Sequence, residues 1–367
     1  MKENNFRKKI FKKGLVNWYE KIDPKRQLDK VPEAYFEAIG ALDPEEILDY
    51  IEKIKLLSDI CENPSSIMTV GVGSGIEMHA LSILYPEAKI CGLDVSPVAI
   101  AHAKKYLNNA GVNINKVNFF EVNASNPSDM KLKQNFDAIV MSSVLHEIFS
   151  YSKVGIEALN TSVVNVLNLL NTDGYILIRD FMPVEYGEKI ILNFKNERAK
   201  RFYKYFSENY RRFKTWSLEY KKEMEDSEAS RGIFPIIYED LEVEIEPREA
   251  AEYLLHYRNY LDHINRGIIS EGDLSWKELD EVYLIPVGLS TKKHKPETTI
   301  NKLFQNIASI YNVNIEMSHP KIKSRPKTAK FLRMEVDIFE LLTKKHITDE
   351  FLLRITSKFE IILRKKN

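Results

Sequence analysis

The sequence predicts an α/β fold in three layers, a parallel sheet with helices on both faces. Three observations predict it. From residue 67 onward, short apolar strands alternate with helical stretches, and that alternation builds parallel sheets covered on both sides. A glycine-rich turn, Gly71-Val72-Gly73-Ser74-Gly75, joins the first strand to the helix after it. Late in the chain two segments alternate apolar and polar residues, the pattern of half-buried strands.

Residues 1–62 read as an N-terminal helical segment. Asp43-Pro44-Glu45-Glu46 is a helix start, with Asp as cap, Pro in the first turn and acids near the positive end of the dipole. Ile47, Leu48, Ile51, Ile54 and Leu57 follow at helical spacing, and Asn63-Pro64 stops the run. Residues 63–182 form the core. Strands are expected at 67–72, 89–93, 117–122, 136–142 and 175–181. Helices are expected at 76–85, from Ser96-Pro97 to Asn109, and at 154–170, with Asn171-Thr172-Asp173-Gly174 turning into the fifth strand.

Beyond residue 182 the alternation breaks. Residues 183–305 read as a helical insertion or cap, rich in Tyr, Phe, Lys and Glu. Residues 306–340 read as a late strand pair completing the core sheet. In it Val313, Ile315 and Met317 alternate with Asn314 and Glu316, and Leu332, Met334, Val336 and Ile338 with Arg333, Glu335 and Asp337. Residues 341–367 read as a C-terminal tail with an amphipathic helix at 348–364.

Composition narrows the class. Lys plus Arg and Asp plus Glu number 53 each, so net charge singles out no partner. The charge is blocky, however. Residues 195–222 are basic and 223–252 acidic, which reads first as two solvated helix faces and second as a surface for an anionic partner. Cys61 and Cys91 lack metal-ligand or disulfide-framework spacing. The N-terminal Arg7, Lys8, Lys9, Lys12 and Lys13 precede no apolar run, and no stretch reaches membrane-spanning length. The expected setting is therefore cytoplasmic, with no membrane association and no metal.

The glycine turn is the first chemical signal. Glycine lets the backbone turn sharply and lets a ligand approach main-chain N–H groups. The spacing is G-x-G-x-G, since Ile76 holds the place of the third glycine in a dinucleotide fingerprint. Asp94 ends the second strand in Gly92-Leu93-Asp94-Val95-Ser96, where a carboxylate can accept both hydroxyls of a ribose.

With these residues in this order the chain resembles the class I methyltransferases, which use S-adenosylmethionine (SAM) and share a Rossmann-like sheet. The resemblance spans residues 65–182 and, more loosely, the late strand pair. It implies SAM as cofactor, with Gly71, Gly73 and Gly75 as its loop and Asp94 with Val95 at its ribose. It also implies Asn123-Ala124 beside its adenine and Ser142 at the end of the fourth strand. Thr69 stands where the family's first motif carries an acid, and Asn123 where Asp is usual. The implied sheet has seven strands, the last antiparallel, with the insertion between strands five and six.

Ser142-Ser143-Val144-Leu145-His146-Glu147-Ile148 follows the fourth strand, where the family brings the methyl group and the substrate together. His146 reads either as the proton acceptor for an oxygen or nitrogen nucleophile, or as a helix cap or cofactor contact. Asp180 ends the fifth strand, facing the site or pairing with Arg179. No Asp/Asn-Pro-Pro-aromatic motif and no cysteine nucleophile follows the fourth strand, which disfavours methylation of amide or base nitrogens and of pyrimidine carbon.

The expected reaction is transfer of a methyl group to an oxygen or nitrogen of a small molecule. An RNA-directed methyltransferase and a non-catalytic SAM-binding module are the alternatives. No nucleic-acid module is visible, so RNA is not favoured. An anionic substrate is expected if the connection 318–330 rims the site, since it carries His319, Lys321, Lys323, Arg325, Lys327 and Lys330 and no acid. The other reading of Lys323, Arg325 and Lys327 is a solvated hairpin tip. The insertion reads as a substrate-selecting cap or as the contact of a homodimer.

Overall fold

The structure is a computed structural model. It describes residues 44–130, 132–152, 156–182, 188–209, 242–265, 313–322, 332–356 and 358–366, with a few isolated positions besides. The expectations for residues 1–43 and for much of the 183–305 insertion lie outside the described residues.

The core alternates as expected. Helix α1 (Pro44–Ser58) leads into β1 (Ser66–Val70), α2 (Ile76–Leu84), β2 (Lys89–Asp94), α3 (Pro97–Asn109) and β3 (Val117–Glu121). Then come β4 (Phe136–Ser142), α4 (Leu145–Tyr151), α5 (Ile156–Asn168) and β5 (Leu170–Phe181). These five strands pair in parallel, in the order β3-β2-β1-β4-β5. Their side chains alternate between two apolar layers. Met68, Val70, Ile139, Met141, Ile176 and Ile178 line one face, and Ile67, Ala138, Val140 and Leu177 the other. Strands buried on both faces are what a sheet clad by helices requires.

Local chemistry sets the ends of these elements. Ser96 caps α3, its hydroxyl accepting from the Ala99 amide at 3.2 Å, with Pro97 in the first turn. Asp137 clasps three strands at the amino edge of the sheet. It accepts from the Ser65 amide at 2.8 Å, the Ser65 hydroxyl at 2.6 Å and the Asn171 side chain at 2.8 Å. Burial works to raise the Asp137 pKa, but these hydrogen bonds outweigh it and hold the carboxyl below its usual range.

The chain then departs from the sheet and returns. The departure contains β6 (Ile190–Phe194), α6 (Glu197–Asn209), β7 (Glu242–Ile245) and α7 (Pro247–Asn265). The return begins with β8 (Val313–Ile322), followed by β9 (Val336–Glu340), α8 (Thr348–Ile355) and β10 (Lys358–Lys365). The full order of the main sheet is β3-β2-β1-β4-β5-β10-β8, with β10 antiparallel to both neighbours. This is the seven-stranded Rossmann-like sheet, with its inserted segment between β5 and β8.

Two expectations need correction. The antiparallel strand of the main sheet is β10, inside the tail read as a helix at 348–364. Only Thr348–Ile355 is helical there. Phe359, Ile361 and Leu363 pack into one apolar layer and Ile362 into the other. A strand buried on both faces reads as an apolar run, and such a run also satisfies a helical pattern. The segment around 332–338 does yield a strand, but β9 joins a second, three-stranded antiparallel sheet in the order β7-β6-β9. Period-two alternation identifies a half-buried strand and not its partner.

Among the described residues the insertion is therefore mixed, with two strands and two helices, and not wholly helical. Glu242-Val243-Glu244-Ile245 is a strand with Val243 and Ile245 buried, although it lies in the acidic block read as a solvated helix face. Helices α6 and α7 pack through Phe202, Phe206, Tyr253 and Tyr257. Glu335 pins them to the second sheet, accepting from Tyr257 Oη at 2.5 Å, Arg198 at 2.6 Å and Asn196 at 2.7 Å. Among the described residues no helix is long and apolar enough to cross a membrane.

Candidate functional site

The carboxyl ends of β1, β2, β4 and β5 and the first residue of β10 share one edge of the sheet. That edge is where open α/β sheets place their ligands. The glycine loop leaves β1 there. Gly71, Gly73 and Gly75 have φ of 82°, 51° and 87°, all in the left-handed region that glycine occupies without strain. Their surroundings differ. A Cβ on Gly71 would sit 2.9 Å from Val144 Cγ2, and one on Gly75 would sit 2.9 Å from Ala103 Cβ and 3.0 Å from its Cα. A Cβ on Gly73 would meet nothing within 4 Å. Gly71 and Gly75 thus admit close packing, while Gly73 borders open space in which a ligand can approach the backbone.

Asp94 faces this loop. Its Oδ2 accepts from the Gly73 amide at 3.2 Å and its Oδ1 from the Ser96 amide at 2.9 Å. Burial pushes the Asp94 pKa up against these hydrogen bonds. A buried carboxylate in that state gains from further donors, and the two hydroxyls of a ribose are such donors. Val95 follows it, only partly buried. The open space at Gly73 and the Asp94 carboxylate beside it suit the nucleoside half of SAM.

The other residues expected beside the cofactor divide. Ala124 is buried, and its carbonyl accepts from Asn165 of α5 at 2.8 Å. Asn123 turns its Oδ1 toward Ser125, accepting from that residue's amide at 3.0 Å and hydroxyl at 2.8 Å. Its carbonyl oxygen is thereby engaged in an Asx turn. Ser142 hydrogen-bonds Glu77.

Glu77 is a residue that sequence reasoning missed. It lies buried in the first turn of α2 and accepts a hydrogen bond from the Thr69 hydroxyl. Burial raises its pKa, opposed by Thr69, Lys53, Ser142 and Arg179. Thr69 thus contributes a donor to a carboxylate rather than a carboxylate of its own. The signal was a hydroxyl residue in the strand with an acid just beyond the third glycine.

The fourth-strand segment supplies the second half of the site. Ser143 adopts φ of 55°, unusual for a residue with a side chain, and its amide donates to the Arg179 carbonyl at 2.7 Å. His146 lies one turn on, at 3% exposure. Its Nδ1 is 2.8 Å from Asp180 Oδ1, and its backbone amide donates to Asp180 Oδ2 at 3.1 Å. Asp180, with no exposed surface, also accepts from the Phe181 amide at 2.7 Å. Burial works to raise its pKa, but His146, Lys358 and the Phe181 amide outweigh this and hold it below the aspartate range. A carboxylate at Nδ1 accepts a hydrogen bond from that ring N–H, which fixes the tautomer whose Nε2 carries the lone pair. Arg179 pairs with Glu360 at 2.7 Å, so Asp180 serves His146 instead.

Lys323, Arg325 and Lys327 lie outside the described residues. His319 and Lys321 belong to β8 itself, with His319 in register with Glu360 of β10. Since the antiparallel strand is β10, the connection from β8 runs through β9 and α8 and is much longer than a hairpin tip. Among the described residues no group of three or more His, Cys, Asp or Glu is placed to hold a metal ion.

Comparison with known proteins follows the same lines. The methyltransferase domain family matches residues 68–176, about three-tenths of the chain. No curated protein matches the chain. Among solved structures, it is similar to an O-methyltransferase family protein from Burkholderia thailandensis, at 15% identity and a TM-score of 0.29. That match covers 40% of this chain and 44% of the other, less than half of that protein's length. It is also similar to the N-methyltransferase NodS from Bradyrhizobium japonicum, in complex with S-adenosyl-L-homocysteine, at 17% identity and a TM-score of 0.32. There 44% of this chain and 71% of the other are covered. The CcbJ methyltransferase from Streptomyces caelestis is similar at 14% identity and a TM-score of 0.32, over 47% and 62% of the two chains. Residues 68–176 thus match the methyltransferase domain family, and the strand order around them is that of a Rossmann-like methyltransferase sheet.

Proposed function

We propose that the chain transfers a methyl group from SAM to an oxygen or nitrogen of a small molecule. The observation that carries this reading is the arrangement along one sheet edge. The Gly73–Asp94 cradle stands just beyond β1 and at the end of β2, and the His146–Asp180 pair just beyond β4 and at the end of β5. Bound SAM would supply an electrophilic methyl group on a sulfonium centre. Gly71, Gly73 and Gly75 shape the loop that admits the cofactor, Asp94 takes its ribose, and Ala124 flanks its adenine. His146 accepts the proton that the acceptor atom loses, through Nε2. Asp180 is a positioning residue that holds the imidazole by Nδ1 and by the backbone amide. Proximity and orientation supply most of the rate in such a site.

The inserted segment acts in this reading as a cap that selects the substrate. Helix α7 reaches the site, with the Arg258 guanidinium 5.6 Å from the Phe181 ring centroid. The test uses SAM carrying a labelled methyl group, incubated with the protein and fractionated small-molecule extract. Label is expected to move into the small-molecule fraction. His146→Ala is expected to slow that transfer by roughly 10²–10⁴-fold while SAM binding is kept, the range for loss of a general base. Transfer at the native rate in His146→Ala would remove His146 from the mechanism.

A further inference from the structure

Lys358 opens β10 on the edge that carries His146 and Asp180, in register with Phe181 on one side and Ile322 on the other. Its ammonium lies 2.9 Å from the centroid of the Phe181 ring and 3.4 Å from Ser143 Oγ. Among the described residues no carboxylate stands within ion-pair distance of it. Asp180 is the acid that acts on it, and that carboxylate already accepts from His146 and Phe181. Three further cations, Arg179, Arg258 and Lys53, act on it from β5, α7 and α1. Burial first, and then these three charges, push the Lys358 pKa well below the usual lysine range, with Asp180 opposing. Glu360 is spent on Arg179.

A half-buried ammonium without a paired anion is costly. An anionic group brought to it removes that cost and gains charge-assisted hydrogen bonds. Arg258 approaches the same ring, so two cations converge on Phe181 from different elements. The Phe181 ring in turn meets the His146 imidazole edge to face, with centroids 5.1 Å apart. A group seated at Lys358 would therefore lie about one aromatic ring from the proton acceptor, within the span of a single small molecule.

We infer that Lys358, with Arg258 beside it at Phe181, holds a carboxylate or phosphate group of the methyl acceptor, close to the atom that is methylated. The inference rests on the methyltransferase reading for the identity of that acceptor. It places the anion site on residues other than the basic stretch 318–330.

The test is calorimetry on the full chain loaded with S-adenosylhomocysteine, titrated with inorganic phosphate or with acetate near neutral pH. The native chain is expected to bind at least one of the two anions. Tighter binding of phosphate assigns a phosphate ester, and tighter binding of acetate a carboxylate. Lys358→Met is expected to weaken binding by about tenfold or more. Lys358→Arg is expected to keep the affinity within about threefold, since guanidinium also carries the charge. No anion binding by the native chain overturns the inference, as does native affinity in Lys358→Met. If Lys358→Met does not fold, Lys358→Gln takes its place, and native affinity in that variant overturns the inference. Absence of S-adenosylhomocysteine binding to the native chain counts against the SAM reading instead. The anion titration is then made on the unloaded chain and judged by the same fold-changes.

Discussion

Replacing Asp180 by Asn perturbs the pair at the centre of the site. The carboxylate accepts three hydrogen bonds, at 2.8 Å from His146 Nδ1, 2.7 Å from the Phe181 amide and 3.1 Å from the His146 amide. Asparagine offers one acceptor oxygen and one donor nitrogen. If its oxygen takes the Oδ1 position, its NH2 opposes the His146 amide. If it takes the Oδ2 position, its NH2 opposes both the imidazole and the Phe181 amide. The first orientation strands one buried donor and the second strands two, so the first is expected. One stranded donor, with charge-assisted bonds weakened to neutral ones, costs about 2–4 kcal/mol. Urea unfolding at neutral pH measures it. The pH dependence gives a second check. The folded pKa of Asp180 is depressed, so its stabilisation is complete above the unfolded value near ~3.9 and is lost as pH falls through the folded value. The gap between native and variant is therefore level at neutral pH and narrows in acid. A variant as stable as the native chain at neutral pH, or a gap that widens in acid, would refute the reasoning.

Four further outcomes are expected. Gly75→Ala should destabilise the fold by about 2 kcal/mol or more, since a left-handed φ costs about 1–2 kcal/mol and the new Cβ meets the backbone of α3. Gly73→Ala should cost about 1–2 kcal/mol from φ alone, and denaturant titration of the two variants compares them. Thr69→Val should lose about 1–3 kcal/mol by leaving the buried Glu77 carboxylate without that donor, read from the same unfolding curves. Glu77 itself has a raised pKa, so the folded chain holds its proton more tightly than the unfolded one. Its contribution is present in acid and lost as pH rises through the folded value. Stability relative to Glu77→Gln should therefore fall with rising pH, and a flat comparison would contradict the burial argument.

Much of the core was legible because its signals are local. The Gly71–Gly75 turn and Asp94 follow from strand, turn and strand-end positions that lie close in sequence, and the five parallel strands follow from apolar runs between caps. What was not legible depended on distant partners. The run Phe359-Glu360-Ile361-Ile362-Leu363 satisfies helix and buried strand alike, and only its pairing with β5 and β8 decides. Misplacing that strand hid Lys358, which reaches Phe181 and Ser143 from the far end of the chain. Glu77 went unread, because its hydrogen bonds come from Thr69 and Ser142 on neighbouring strands. Asp180 was placed at the edge of the site, but its choice of His146 over Arg179 rests on Glu360 occupying the arginine.

The central claim is that the Gly73–Asp94 cradle binds SAM, and calorimetric titration of the chain with SAM and with NAD tests it most directly. The native chain is expected to bind SAM and not NAD. Asp94→Ala should weaken SAM binding by about 1.5–3 kcal/mol, the range for hydrogen bonds to a charged group. Gly73→Val should abolish it, since the side chain fills the open space beside the loop. Tight NAD binding with no SAM heat, or SAM affinity unchanged in both variants, would contradict the account.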